Sequence, residues 1–141
     1  MSNHPIDINA LTEKIIACAF RVHCVLGPGF LEKVYENALR IELELASLDV
    51  AQQVPIPVMY RDRLVGDFYA DLWVESRVLV ELKAVRALGK EHEVQLVNYL
   101  QASGVDDGLL INFGPSVEVK RKFKTWKPGT NGIPASPIRR D

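Results

Sequence analysis

Two acidic residues and one lysine lie close together in an apolar region of this sequence. Asp71 is in the segment 64–74, and Glu81 and Lys83 are in the segment 78–85, whose other residues are all apolar. Carboxylate oxygens are the ligands that Mg²⁺ prefers, and the ion keeps waters that can act as nucleophile or contact a phosphate. A neighbouring lysine can orient that water or stabilise developing negative charge. The three residues therefore predict metal-assisted hydrolysis of a phosphodiester.

A β-hairpin would bring these three side chains together. Both segments have the composition of strands, and counting outward from a three-residue loop at 75–77 places Asp71 opposite Glu81. Opposite residues have Cβ atoms about 4.5–5.5 Å apart. Side chains alternate along a strand, so Lys83 follows on the face of Glu81. The same alternation predicts two faces for the first strand, one with Phe68, Ala70, Leu72 and Val74 and the other with Tyr69, Asp71 and Trp73.

Two carboxylates facing each other across a hairpin destabilise it unless a positive charge lies between them. A divalent cation bound by Asp71 and Glu81 would supply that charge. The alternative is a structural salt bridge, in which Lys83 neutralises one carboxylate, because ion pairs of this kind also occur on sheets. The sequence leaves both interpretations open.

Two helices are predicted before the hairpin. Asn9, followed by apolar residues at helical spacing, predicts a capped helix that ends at the Gly-Pro-Gly sequence of 27–29. A second apolar stripe predicts a helix over 30–46. The short link between them makes the two helices neighbours in space.

Three further strands are predicted to extend the hairpin into a sheet, near 54–58, 108–113 and 117–124. A turn is predicted at 61–63 and a helix over 89–103. Pro55 and Pro57 predict that the first strand lies at a sheet edge, because proline donates no backbone hydrogen bond. The order is ααβββαββ, in which the third helix could connect the third and fourth strands as parallel neighbours.

Length and composition predict one domain. The chain has 141 residues, of which 48% are hydrophobic and 25% charged. We expect an α/β domain over 1–126 and a flexible tail over 127–141, which has three prolines and two glycines. The sequence has neither a secretory signal nor an apolar stretch of the roughly 20 residues that span a bilayer. A cytoplasmic protein without membrane contact is therefore predicted.

Charge is distributed unevenly along the chain. Residues 1–117 carry 10 Lys and Arg against 16 Asp and Glu, whereas residues 118–141 carry 7 against 2. This basic C-terminal strip could steer a polyanion such as nucleic acid toward the domain. The alternative is an edge strand that its lysines protect from pairing with other chains.

The acidic pair and the lysine resemble the D…ExK signature of the PD-(D/E)xK nuclease superfamily, with Ala70 where the name has proline. The run Gly29-x-x-Glu32-x-x-Tyr35 is similar to the motif of a small bacterial and archaeal family, named GxxExxY and placed within that superfamily. The resemblance extends over about 11–124. It implies a restriction-endonuclease-like α/β core, with a central mixed β-sheet flanked by α-helices.

The resemblance also implies roles for individual residues. Asp71 and Glu81 would bind Mg²⁺ or Mn²⁺, and Lys83 would be the catalytic lysine. Glu32 matches a helical glutamate that assists the metal or its water, while Gln95 and Tyr99 are similar to a QxxxY element that helps shape the active site. Two residues keep a structural alternative: Tyr35 could be a functional hydroxyl or core packing, and His92 could face the cleft or lie at the solvent-exposed start of its helix.

Three functional hypotheses follow from the sequence. The first is a Mg²⁺- or Mn²⁺-dependent nuclease acting on DNA or RNA. The second is a catalytically silent module that keeps the nuclease fold and binds nucleic acid or a protein partner, because a fold does not fix a function. The third is a nuclease that works within an assembly, with an edge strand near 54–58 or 117–124 pairing across the two-fold axis of a homodimer.

Overall fold

A computed structural model describes residues 5–124 of the chain. The elements are α1 (Ile8–Leu26), α2 (Glu32–Leu45), β1 (Val50–Tyr60), β2 (Arg63–Val74), β3 (Val78–Lys83), α3 (Lys90–Ser103), β4 (Asp107–Phe113) and β5 (Val117–Phe123). The predicted order ααβββαββ is confirmed. The tail predicted over 127–141 lies outside the described residues. None of the three helices described combines the length and hydrophobicity that crossing a membrane requires.

The five strands form one mixed sheet in the order β1-β2-β3-β4-β5. β3 and β4 are parallel, and the other neighbouring pairs are antiparallel. The helix α3 connects the two parallel strands, as the sequence predicted. β1 is an edge strand, which agrees with the positions of Pro55 and Pro57. The α/β architecture with helices flanking a mixed sheet is therefore confirmed.

Helices cover both faces of the sheet. On one face α1 and α2 pack against the strands, and the buried residues there include Leu11, Ile15, Tyr35, Leu39, Leu72, Val74, Leu82 and Phe113. On the other face α3 packs, and the buried residues there include Ile56, Ala70, Leu79, Leu96, Tyr99, Leu100 and Leu110. Burial of these two apolar layers is the main favourable contribution to folding.

The cap of α1 differs from the prediction. Asp7, and not Asn9, caps the helix, because its side chain accepts hydrogen bonds from the backbone N–H groups of Asn9 (3.1 Å) and Ala10 (3.3 Å). Asp and Asn are equally good caps, so the helical periodicity alone did not distinguish the two positions. The Asn9 side chain instead accepts a hydrogen bond from Nη1 of Arg121, at 2.8 Å.

The predicted faces of β2 are wrong over half of the strand. Leu72 and Val74 pack with α1 and α2, but Ala70 packs with α3 and the Phe68 ring lies 5.4 Å from that of Tyr99. The strand thus changes the face of its even-numbered residues at Asp71. In β1, opposite this point, Gln53 has a φ of 56° and interrupts the pairing. The register is the same on both sides of Gln53, so no residue is inserted there; its left-handed backbone departs from the extended geometry on which the alternation of side chains depends.

The Gly-Pro-Gly link sets the start of α2. Gly27 and Gly29 have φ of 71° and 108°, values that favour glycine. The hydroxyl of Tyr35 donates to the Gly27 carbonyl (2.5 Å) and accepts from the Phe30 N–H (3.2 Å), while its ring stacks on Phe113 at 4.7 Å. Tyr35 is fully buried. It therefore packs in the core and holds the link, which decides between its two predicted roles.

We expect Tyr35→Phe to lower the free energy of unfolding by about 1–2 kcal/mol. The ring stays, but Gly27 and Phe30 each lose the hydrogen-bond partner of a backbone group. Urea denaturation measures the change. Tyr60→Phe is the matched control, because the Tyr60 side chain is largely exposed. An equal effect of the two substitutions would contradict this account of the link.

Candidate active site

The acidic pair lies where β2 separates from β3. The ladder between these strands begins at Val74–Val78, as predicted, and its last pair is Leu72–Val80. One residue beyond that pair, the backbone N–H of Asp71 donates to Oε1 of Glu81 at 3.0 Å. At this fork, where the two strands separate, a carboxylate oxygen thus accepts the hydrogen bond that a backbone carbonyl accepts within the ladder. The predicted proximity of Asp71 and Glu81 is present.

In each carboxylate, one oxygen accepts a hydrogen bond from the backbone and the other does not. Oδ2 of Asp71 accepts from the Leu82 N–H at 2.8 Å, and Oε1 of Glu81 accepts from the Asp71 N–H. These reciprocal bonds fix both carboxylates at the fork. Oδ1 of Asp71 and Oε2 of Glu81 therefore remain for a ligand, although Oδ1 also receives a longer hydrogen bond from Gln53, at 3.3 Å.

Burial makes the charged form of this pair costly. The Glu81 residue is only 7% exposed. Burial, and then the charge of Asp71, raises the pKa of Glu81 to about 8. Burial also raises the pKa of Asp71, against the hydrogen bond from Leu82 that lowers it. A buried acid and a half-buried acid that resist ionisation together are typical of a site that a cation completes.

Glu32, in the first turn of α2, lies near the acidic pair. Burial, followed by the charge of Asp71, raises the pKa of Glu32, and Lys83 acts in the opposite direction. Its Oε1 is buried and has no hydrogen-bond partner among residues 5–124. Buried polar atoms without a partner are rare in folded proteins. This oxygen is therefore available for a ligand at the site.

Lys83, the last residue of β3, is held by the backbone around it. It pairs with Asn112 in the parallel ladder, and the Asn112 amide makes two hydrogen bonds of 2.9 Å with the backbone of Val85. A Cβ at Gly114 would lie 2.5 Å from the Val85 carbonyl oxygen, so only glycine fits there. In the described part of the chain, no ion pair joins Lys83 to a carboxylate. The Lys83 charge acts to lower the pKa of Asp71 and of Glu81, but it forms no direct salt bridge with either.

A buried glutamate that sequence reasoning missed connects α2 to the acidic pair. Glu36 is 2% exposed and accepts hydrogen bonds from Lys33, Gln52 and Gln53. The same Gln53 amide reaches Asp71. The four-residue spacing from Glu32 could have placed Glu36 on the same helical face. The left-handed backbone of Gln53, which turns its amide toward both acids, has no comparable sequence signal.

The helix α3 brings Tyr99 to the acidic pair and places Gln95 beside it. Burial, then the charges of Glu81 and Asp71, raises the pKa of Tyr99. Gln95 and Tyr99 line one groove, which agrees with their predicted position on one helical face. His92 has a structural role: its Nδ1 accepts from the Gly89 N–H at 3.0 Å and caps the helix.

The basic strip is largely neutralised within the described residues. Arg121 lies 3.6 Å from Asp107, Lys122 lies 2.5 Å from Glu93, and Lys124 lies 3.6 Å from Asp106. These pairs fasten β5 to α3 and to the start of β4. The geometry favours the edge-strand interpretation of these lysines over that of a free surface for polyanions.

The donor set fits a partly hydrated ion. Among residues 5–124, no three His, Cys, Asp or Glu side chains are arranged to hold a metal ion. Mg²⁺ and Mn²⁺ are nevertheless commonly held by one or two carboxylates, with waters and substrate phosphate completing the shell. Asp71 and Glu81 provide such a pair, and the unpartnered oxygen of Glu32 could receive a water. The residues present therefore fit this kind of ion.

In metal-free protein, we expect the free energy of unfolding to fall as the pH rises from about 4.5 to about 8. Folding raises the pKa of Glu81 from 4.5 to about 8. The folded chain therefore holds this proton more tightly than the unfolded chain, and the advantage disappears as the carboxyl ionises. Glu81→Gln should flatten the decline by on the order of a few kcal/mol.

Urea denaturation in EDTA at several pH values between 4.5 and 8.5 tests this pH dependence. Glu13→Gln, on the exposed side of α1, is the matched control and should keep the decline of the wild type. The same decline in Glu81→Gln as in the wild type would show that this carboxyl does not carry the effect.

Comparisons with known proteins agree with this fold. The solved structure of the protein SSO0001 is similar, with a TM-score of 0.53 and 15% sequence identity, and the match covers 88% of this chain. It covers 63% of SSO0001, so this chain spans less than two thirds of that protein. A likeness at this identity shows the fold alone. No curated protein matches the sequence significantly.

A family model gives the more specific result. The model described as the PD-(D/E)XK nuclease superfamily matches residues 9–124. This range includes the acidic pair, Lys83, Glu32 and the helix with Gln95 and Tyr99. The match covers most of the chain, and the mixed sheet with its flanking helices agrees with it. The chain belongs to the PD-(D/E)XK nuclease superfamily.

Proposed function

We propose that this protein is a Mg²⁺- or Mn²⁺-dependent nuclease that hydrolyses phosphodiester bonds of DNA or RNA. One observation carries the proposal: the buried Glu81 and the half-buried Asp71 lie together, and no basic side chain of the described residues forms an ion pair with either. A fold that retains such an arrangement bears a cost in stability, which a functional ligand would explain. Superfamily membership supports nucleic acid as the substrate.

Asp71 and Glu81 would hold the ion through the oxygens that the backbone leaves available. When bound, the ion would supply an activated water and would stabilise charge on the phosphate. Gln53 acts on Asp71 as a positioning residue, because its amide also contacts the buried Glu36 of α2. The direction of the Asp71 carboxylate is therefore tied to the packing of α2 on the sheet.

Lys83 and Glu32 are assigned to the reacting water and phosphate. The ammonium group of Lys83 would orient the water or stabilise negative charge that builds up at the phosphate. Glu32 has an elevated pKa and an unpartnered oxygen, so it could accept a proton or a hydrogen bond from that water. Tyr99 and Gln95 would position the substrate along α3.

Three finer assignments remain predictions. Membership of the GxxExxY family would account for Gly29, Glu32 and Tyr35, and a cytoplasmic location is predicted because the sequence has neither a secretory signal nor a spanning apolar stretch. A homodimer could form through β1 or β5, because each pairs with only one other strand of the described sheet. A silent nuclease fold that only binds nucleic acid or a protein is the alternative function, and the metal and cleavage experiments separate it from the nuclease.

Metal binding tests the proposed centre. We expect Mn²⁺ to bind the wild type in calorimetry and Asp71→Asn to weaken this binding at least about tenfold, because one of two charged ligands is lost. Asp67→Asn is the matched control: it removes an exposed carboxylate from the same strand and should leave the affinity unchanged. Equal binding by wild type and Asp71→Asn would remove Asp71 from the centre.

Cleavage tests the role of Lys83. With Mn²⁺ and labelled DNA and RNA, we expect Lys83→Ala to reduce the rate of cleavage by about 100-fold or more, the usual loss when a stabilising charge is removed. Mn²⁺ affinity should change little, because an amine is not a ligand of this ion. Lys14→Ala, on the exposed face of α1, is the control. A wild type that binds Mn²⁺ but cleaves neither substrate would favour the binding-module alternative.

A further inference from the structure

A groove lies between α3 and the part of the β1–β2 hairpin that extends beyond β3. Its volume is about 660 Å³, within the range of small-molecule sites. Tyr99 and Gln95 line this groove, and the acidic pair acts on the pKa of Tyr99. Tyr99 thus belongs to the lining of the groove and also feels the charges of the acidic pair, so the groove lies beside the candidate active site.

Aromatic and apolar side chains form the walls of the groove. They include Tyr60, Phe68 and Val94, which are 63%, 43% and 51% exposed. The Phe68 ring is set at a tilt against Tyr99, with centroids 5.4 Å apart. Its edge lies only 3.0 Å from where a Cβ of residue 66 would be, so Gly66 leaves room for this ring position. The walls thus present flat apolar surface to a ligand.

Apart from Glu91 and two tyrosines, the polar side chains of the groove are neutral amides. Gln95 and Asn98 line it, and neither side chain makes a hydrogen bond within the described residues. The charged group of the lining is Glu91, whose side chain is 78% exposed and whose Oε2 lies 3.9 Å from Nε2 of His92. An occupant that matches these walls is planar, uncharged and able to form hydrogen bonds at its edge.

We propose that this groove binds an unpaired nucleobase of a single-stranded nucleic acid. The inference rests on the proposed function, because it names the form of nucleic acid that the site takes. Unpaired bases stack on aromatic rings and expose edges that carboxamides can read, whereas bases in a duplex are stacked and paired. The base would stack on the exposed part of the Phe68 ring, and its strand would continue past Tyr99 toward the acidic pair.

The hairpin end supplies a cation near the groove. The guanidinium of Arg61 lies 5.7 Å from the centre of the Tyr60 ring, and its Nε donates to the Tyr60 hydroxyl at 3.4 Å. Arg61 is exposed, so it can contact a phosphate of the same strand outside the groove. Aromatic rings and neutral amides in the groove, with a cation at its border, match a base and its backbone.

Binding in the absence of metal tests this inference. Fluorescence anisotropy in EDTA, at fixed salt, compares a labelled 12-nucleotide single strand with the duplex of the same sequence. We expect the wild type to bind the single strand at least about tenfold more tightly. Phe68→Ala should weaken single-strand binding by about fivefold or more, the loss typical of one stacked base.

Tyr69→Ala is the matched control, because Tyr69 is the next residue in β2, is 51% exposed and does not line the groove. It should change the affinity less than twofold. Asn98→Asp keeps the shape of an exposed helical residue but adds a negative charge, and it should weaken binding several-fold. Asn98→Asp therefore still tests the groove if Phe68→Ala destabilises the fold.

Several results would overturn the inference. The first is equal affinity for single strand and duplex, and the second is wild-type affinity in both Phe68→Ala and Asn98→Asp. The third is a wild-type dimer in sedimentation that Phe68→Ala dissociates, because this result would assign the groove to a second copy of the chain. These results leave the metal centre in place. Failure of Mn²⁺ binding with normal single-strand binding would instead overturn the proposed nuclease and keep the groove.

Discussion

The arrangement of two carboxylates at the fork between β2 and β3 is the constraint on which the structure of the site depends. Asp71 and Glu81 lie just past the last backbone pair of the two strands and exchange hydrogen bonds with the backbone there. This holds like charges together in a buried place, which costs free energy unless a cation offsets the repulsion. The pKa of Glu81 is raised because its charged form bears this cost.

Structure on each side of the fork keeps the carboxylates and the lysine in position. On one side the buried Glu36 binds Gln53, whose amide reaches Asp71, and on the other Asn112 holds the backbone that follows Lys83. Tyr35 fixes the link from which α2 begins, and thereby the place of Glu32. Such support by packed elements is what precise catalytic geometry requires. The site is thus built into the core rather than placed on a mobile loop.

The fork that creates the acidic site also creates the groove beside it. On the side of Asp71 away from Leu72, β2 pairs with β1 alone, and Phe68 and Ala70 face α3 rather than α2. Phe68 and Ala70 therefore turn toward Tyr99, and the hairpin stands over α3 with space between them. A regular β2 with uniform faces would have put Phe68 under α2 and left no aromatic wall next to Gln95 and Tyr99. One irregularity in the sheet thus accounts for two neighbouring surfaces of different chemistry.

The sequence by itself determined the element order, the edge position of β1, the three-residue loop and the proximity of Asp71 to Glu81, because these follow from local periodicity, proline positions and turn length. The motif spacing also indicated Glu32, Lys83, Gln95 and Tyr99. Only the tertiary structure decided that Asp7 caps α1, that His92 caps α3, that β2 changes faces at Asp71, and that Gln53 and Glu36 support the site. The two caps are contacts between residues two or three apart that helical periodicity does not single out. The other features depend on burial, on a left-handed backbone at Gln53 and on contacts between residues distant in the chain, none of which a local pattern encodes.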